Sequence, residues 1–113
     1  MNNKEKLPDR RYSVYVIELD PVALKRRKFR EANPDHKPGK ACLYVGMTSR
    51  TPEERFAQHK AGLKSSSWVK NYGKYLRTRL FRRYNPMSYE EAKSMEVELA
   101  RKLRRAGYAV WQN

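Results

Sequence analysis

The sequence predicts an α/β or α+β domain, a small sheet covered by helices. Three observations carry that prediction. Two runs rich in β-branched and aromatic residues, 12–19 (YSVYVIEL) and 41–46 (ACLYVG), have strand character. Two capping boxes, Thr51 with Glu54 and Ser88 with Glu91, each open a helical stretch. The chain has 113 residues, 39% of them hydrophobic, which suits one core and is too little for two.

In chain order, residues 1–11 are read as a flexible, basic leader and residues 12–113 as one domain. The first strand, 12–19, ends at Asp20-Pro21, a cap followed by proline at the first helical position. A short basic helix over 21–32 follows, and 33–40 (NPDHKPGK) is a loop by its Pro, Gly and Asp content. The second strand covers 41–46. A helix runs from Pro52 to the stop at Gly62. Residues 63–73 form a loop or short helix, with Trp68 and Val69 pinning it to the core. Over 74–84 apolar and basic residues alternate: Leu76, Thr78 and Leu80 on one side, Arg77, Arg79 and Arg83 on the other. That period predicts a third strand. The last helix spans residues 88–105 and stops at Gly107. Residues 108–111 are a candidate final short strand.

Charge bounds the partners. The chain carries 26 Lys and Arg against 12 Asp and Glu, a net +14. Such an excess repels itself in a compact body unless its partner is anionic, and nucleic acid is the expected one. No apolar run approaches the ~20 residues of a membrane span, so no membrane partner is expected. The start of the chain also lacks an apolar signal core. A single cysteine, Cys42, excludes an intramolecular disulfide or a cysteine-based zinc cage, and a lone thiol suits the cytoplasm.

Four features are candidates for chemistry. On the last helix, Ala92, Met95, Leu99, Leu103 and Ala106 form an apolar stripe, and Glu96 falls on its edge. A carboxylate there needs a partner, either a metal ion or an arginine. On the preceding helix, Arg55 and His59 stand one turn apart and face one way. They can address one phosphate, or they belong to a solvated face where Glu53 or Glu54 partners the arginine. Tyr15 and Tyr44 sit on neighbouring strands. A phenol acts as a base only if a cation or hydrogen bonds favour its phenolate, and buried tyrosines commonly just pack. Finally, Lys25, Arg26, Arg27, Lys28 and Arg30 make a basic arm, and Arg77, Arg79, Arg82 and Arg83 a second cluster. Phosphate contacts of this kind position a substrate without reading its sequence. Trp68 and Tyr72 either stack on an unpaired base or anchor the core.

Ser13-Val14-Tyr15 opening the first strand and Tyr44-Val45-Gly46 ending the second resemble the paired motif of the GIY-YIG nuclease superfamily. The segment 44–62 (YVGMTSRTPEERFAQHKAG) looks like that family's second motif and its helix, carrying Arg55 and His59. Glu96 in SMEVELARKL then matches the family's acidic metal ligand, and Asn113 its closing asparagine. Ser13 replaces a glycine, Met47 stands where some relatives carry lysine, and residues 20–41 lie between strands that relatives join by a short hairpin. The resemblance implies a three-stranded, mostly antiparallel sheet flanked by helices, with an inserted basic helix between the first two strands. It implies a metal-dependent endonuclease that cuts DNA, structure-directed or weakly sequence-specific, with RNA or branched nucleic acid as further substrates. Tyr44 or Tyr15 would be the general base, with Tyr44 preferred. Arg55 would stabilise charge on the phosphate, and His59 would bond a tyrosine or a phosphate oxygen. Glu96 would hold Mg²⁺ or Mn²⁺, and Asn113 would help position the site against nucleic acid. Monomer and homodimer remain open, as does a separate specificity partner. The competing expectations are a non-catalytic DNA- or RNA-binding module of the same fold and a subunit that docks an acidic protein.

Overall fold

The computed structural model describes residues 9–113, so most of the expected leader lies outside the described residues. Four strands, β1 (Ser13–Leu19), β2 (Cys42–Thr48), β3 (Gly73–Leu76) and β4 (Ala109–Gln112), form one sheet in the order β3-β1-β2-β4. Helices α1 (Arg27–Glu31), α2 (Pro52–Ala61), α3 (Ser67–Tyr72) and α4 (Tyr89–Arg105) surround it. β1 and β2 pair antiparallel along their whole length, Ser13 opposite Thr48 and Leu19 opposite Cys42. Both are buried almost without alternation, which means that both faces of the sheet are covered. Val14, Val16, Ile17, Leu43 and Val45 are fully buried there. Each contributes about 1.5–3 kcal/mol of apolar burial.

Alternation along the strands assigns the two faces. Tyr15, Tyr44 and Trp111 share one face, which meets α2 and α3 through His59 and Trp68. Val14, Val16, Val45 and Val110 point the other way, beneath α4, which packs on β2 and β4. Both capping boxes form as the sequence predicts, and Gly62 stops α2 at φ 84°.

The structure corrects four expectations. The sheet has four strands rather than three and is mixed, because β4 adds parallel to β2, Cys42 beside Ala109. The helix expected over 21–32 is a 3-10 turn (Pro21–Lys25) and the short α1, separated by Arg26 in extended conformation. The third strand ends at Leu76 instead of running to residue 84. Beyond it two 3-10 turns fold Phe81 into the core, and the Asn85 side chain takes the missing strand's place. Its carboxamide accepts from the Val14 N–H (2.9 Å) and donates to the Val14 carbonyl (2.8 Å), so the edge of β1 stays satisfied. Finally, the buried stripe of α4 is Ala92, Glu96, Leu99, Ala100 and Leu103. Glu96 lies inside it, not at its edge, and Ala106 is exposed beyond the last turn.

Candidate active site

Tyr15, Tyr44 and His59, from β1, β2 and α2, stand against one another, and the charges of Arg55 on α2 and Glu96 on α4 reach both phenols. The ring of Tyr15 lies 6.2 Å from that of Tyr44 and 6.1 Å from the His59 imidazole. What lets Tyr15 lie across β2 is Gly46, its cross-strand partner: a Cβ there would stand 2.5 Å from the Tyr15 hydroxyl oxygen. A residue with no side chain is the one that fits.

His59 is 1% exposed and carries no charge near neutrality, its pKa pushed down to about 4 by burial and by the Arg55 guanidinium. Its tautomer follows from its neighbours. The Ser66 backbone N–H donates to Nδ1 (3.0 Å), so Nδ1 holds a lone pair and the neutral ring keeps its proton on Nε2. Nε2 lies 2.8 Å from the Tyr15 hydroxyl and therefore donates to it. The phenol oxygen thus receives a proton donor, and its own O–H is left to point elsewhere. Burial and the neighbouring Tyr44 raise the pKa of Tyr15 far above an ordinary phenol, and Arg55 opposes the rise. Tyr44 is raised too, chiefly by burial, with Ser66 moderating the effect.

Arg55 is held in place rather than free. Its guanidinium donates to the carbonyls of Leu63 (3.3 Å) and Lys64 (2.7 Å) and to Gln58 Oε1 (3.1 Å). It lines an open cleft of about 460 Å³ with Thr48, Ser49, Arg50, Gln58 and Lys64. Of the five candidate residues only Arg55 lines that cleft, and Tyr15 and Tyr44 are each 1% exposed.

Glu96 is 7% exposed and forms no ion pair among the described residues. Gln112 Nε2 donates to its Oε1 (3.3 Å), while Oε2 is buried with no hydrogen-bond partner. Burial raises its pKa, and its charge acts on both phenols. An orphaned buried carboxylate oxygen fits a hard cation that brings its own waters and needs only one or two carboxylates. Among the described residues no group of three His, Cys, Asp or Glu could form a fuller protein cage.

The basic residues divide. Lys25, Arg26 and Lys28 are exposed and make no ion pair among the described residues, as is Arg79. Arg27 pairs with Glu31 (3.2 Å), Arg30 donates to the Leu24 carbonyl (2.8 Å), and Arg77 is committed to Glu18 (2.9 Å). Asn113 is exposed, and its backbone N–H donates to the Val45 carbonyl (3.0 Å), prolonging the β2–β4 ladder. Sequence reasoning missed Ser66 and Gln112, which orient His59 and Glu96. The only local signal for either was the N-cap that Ser66 supplies to α3. No helix among the described residues is long and apolar enough to cross a membrane. Comparison with protein-family models, with curated proteins and with solved structures finds no match to this chain.

Proposed function

We propose that this protein is a metal-dependent endonuclease of the GIY-YIG type that hydrolyses phosphodiester bonds in DNA. The observation that carries the reading is the orphaned Oε2 of buried Glu96, whose charge reaches the two phenols of a tyrosine–histidine cluster that a fixed guanidinium also reaches. A chain of net charge +14 supplies the attraction for a polyanion.

In this reading the resident groups divide the work. Neutral His59 donates to the Tyr15 oxygen, which fixes the phenol and favours its anionic form as a proton leaves. Tyr15, held by His59, suits the orienter of the attacking water, while Tyr44, whose rise Ser66 moderates, remains the candidate base that the sequence favoured. Arg55 faces the open cleft and offsets charge gathering on the phosphate. Glu96, with Gln112 bracing it, is the residue that would hold Mg²⁺ or Mn²⁺. Such an ion supplies Lewis-acid polarisation of the phosphate and stabilises the leaving oxygen.

The second reading is a non-catalytic nucleic-acid-binding module. The depth of the two phenols, each 1% exposed, favours it. One experiment separates the two: purified protein with supercoiled, branched and single-stranded DNA, in Mg²⁺ or in chelator, beside Glu96→Gln. The nuclease gives Mg²⁺-dependent cutting that the variant lowers by about 10³-fold, the scale of losing a principal charge-stabilising group. Salt-sensitive binding without cutting leaves the module.

A further inference from the structure

We infer that the cleft between the basic turn and α3 holds an unpaired nucleotide of the substrate, its phosphate on Lys25, Arg26 and Lys28 and its base against Trp68. This rests on the nucleic-acid reading above and names the substrate class within it: DNA with a single-stranded element, such as a flap or branch, next to the cut.

The cleft is lined by Lys25, Arg26, Arg27, Lys28 and Trp68 and has a volume of about 400 Å³. That is within the roughly 300–1,000 Å³ of small-ligand pockets. Four cations and an indole, with no acid in the lining, are the two ingredients of single-strand recognition: a positive groove for the backbone and an aromatic wall for a base. Three of those cations have no carboxylate partner among the described residues, so they are available to phosphate. Trp68 packs on Phe29, Tyr72 and Trp111 yet stays only partly buried, whereas Phe29 is fully buried. Its remaining accessible surface lines the cleft.

The position relative to the candidate active site is also fixed. Trp111 pairs with Tyr44 on adjacent strands, and the Trp111 and Trp68 rings are 4.8 Å apart. With one strand spacing of about 4.8 Å between Trp111 and Tyr44, the cleft lies within roughly 10 Å of Tyr44. That is no more than about three base rises of 3.4 Å. Ser66, the N-cap of the helix that carries Trp68, is the residue that sets the His59 tautomer. Filling the cleft and orienting the Tyr15–His59 pair therefore depend on the same short segment. A continuous duplex presents no free base to the indole, so the cleft discriminates strand state rather than sequence.

The test is fluorescence anisotropy in chelator, where no cutting occurs, with a labelled blunt duplex and the same duplex carrying a short single-stranded flap. The protein should prefer the flap by about tenfold, the scale of one base–aromatic stack. Trp68→Leu should erase that preference while leaving duplex affinity within about twofold. The surface triple variant Lys25→Gln, Arg26→Gln, Lys28→Gln should weaken flap binding by about tenfold or more and lower its salt slope by about 2–3. Equal affinity for both probes overturns the inference. So does a triple variant that binds the flap as well as the parent, a criterion that holds even if Trp68→Leu fails to fold. Binding in chelator is independent of cutting. A failed cleavage assay would therefore remove the nuclease and leave this preference standing, and the converse result would remove only this cleft.

Discussion

Two buried polar side chains in this molecule are treated in opposite ways. Asn33, 7% exposed, joins α1 to β4 with all its principal valences used. Its amide donates to the carbonyls of Phe29 (2.9 Å) and Val110 (3.1 Å), and its oxygen accepts from the Val110 N–H (2.7 Å) and Arg104 Nε (3.2 Å). Glu96 is equally buried and ionisable, yet one oxygen has no hydrogen-bond partner. A fully satisfied polar node specifies architecture, whereas a charged one left open costs stability. Such an exception is expected where function, not folding, fixes the residue.

The sharpest way to break this comparison is to remove each node and follow stability. Asn33→Ala should cost about 4 kcal/mol, since it strands several buried donors and acceptors at about 1–3 kcal/mol each. Urea unfolding followed by circular dichroism measures it. Glu96→Gln should leave stability unchanged or raise it by about 1 kcal/mol, because it removes an unpaired buried charge. If the glutamine variant unfolds as readily as the Asn33 variant, Glu96 is a structural residue and the contrast is lost.

How far the sequence revealed these nodes depends on the range of the interactions involved. The capping boxes at Thr51 and Ser88 were legible because both partners lie within four residues. The central strands were legible through their β-branched runs. The end of β3 was not, because Asn85 replaces a strand through bonds to Val14 across 71 residues. Glu96 was identified as a candidate yet misplaced by one step, since α4 presents to β2 and β4 a stripe centred nearer residues 96 and 100 than period alone implied. Tyr15, Tyr44, Arg55 and His59 were singled out as candidates by motif. Their coupling was invisible, because it passes through the Ser66 backbone after a loop that Lys64 turns at φ 45°.

His59 sharpens the comparison from the side of pH. With its folded pKa lowered to about 4, the unfolded chain binds the extra proton first. The stabilisation is thus fully present above about pH 6.5 and is lost as pH falls toward 4, a total of about 3 kcal/mol at 1.36 kcal/mol per unit. Glu96, whose pKa is raised, works in the other direction and gains on protonation. Melting temperatures between pH 7 and 4.5 should therefore fall more steeply for the parent than for His59→Gln. Parallel curves would mean that the imidazole is not held neutral by burial.

The smallest expected effect tests whether the site depends on space as much as on charge. Gly46 has ordinary strand geometry, so alanine meets no backbone penalty there, and its closest conflicts are all with Tyr15, at 2.5 Å from the hydroxyl oxygen and 2.7 Å from the adjoining ring carbon. The ring is 1% exposed and cannot simply swing out to solvent. Gly46→Ala must push the phenol away from His59 Nε2, at a cost of about 2 kcal/mol in overpacking, reduced by alanine's lower unfolded-state entropy. Asn33 and its network lie at the far end of β4 and should not respond. The variant is therefore expected to lose cutting far out of proportion to its stability, and the His59 pKa should move toward 6.5 as the imidazole environment opens, readable by NMR titration. A Gly46→Ala protein with the parent's His59 titration would show that Tyr15 is not pinned by its cross-strand partner.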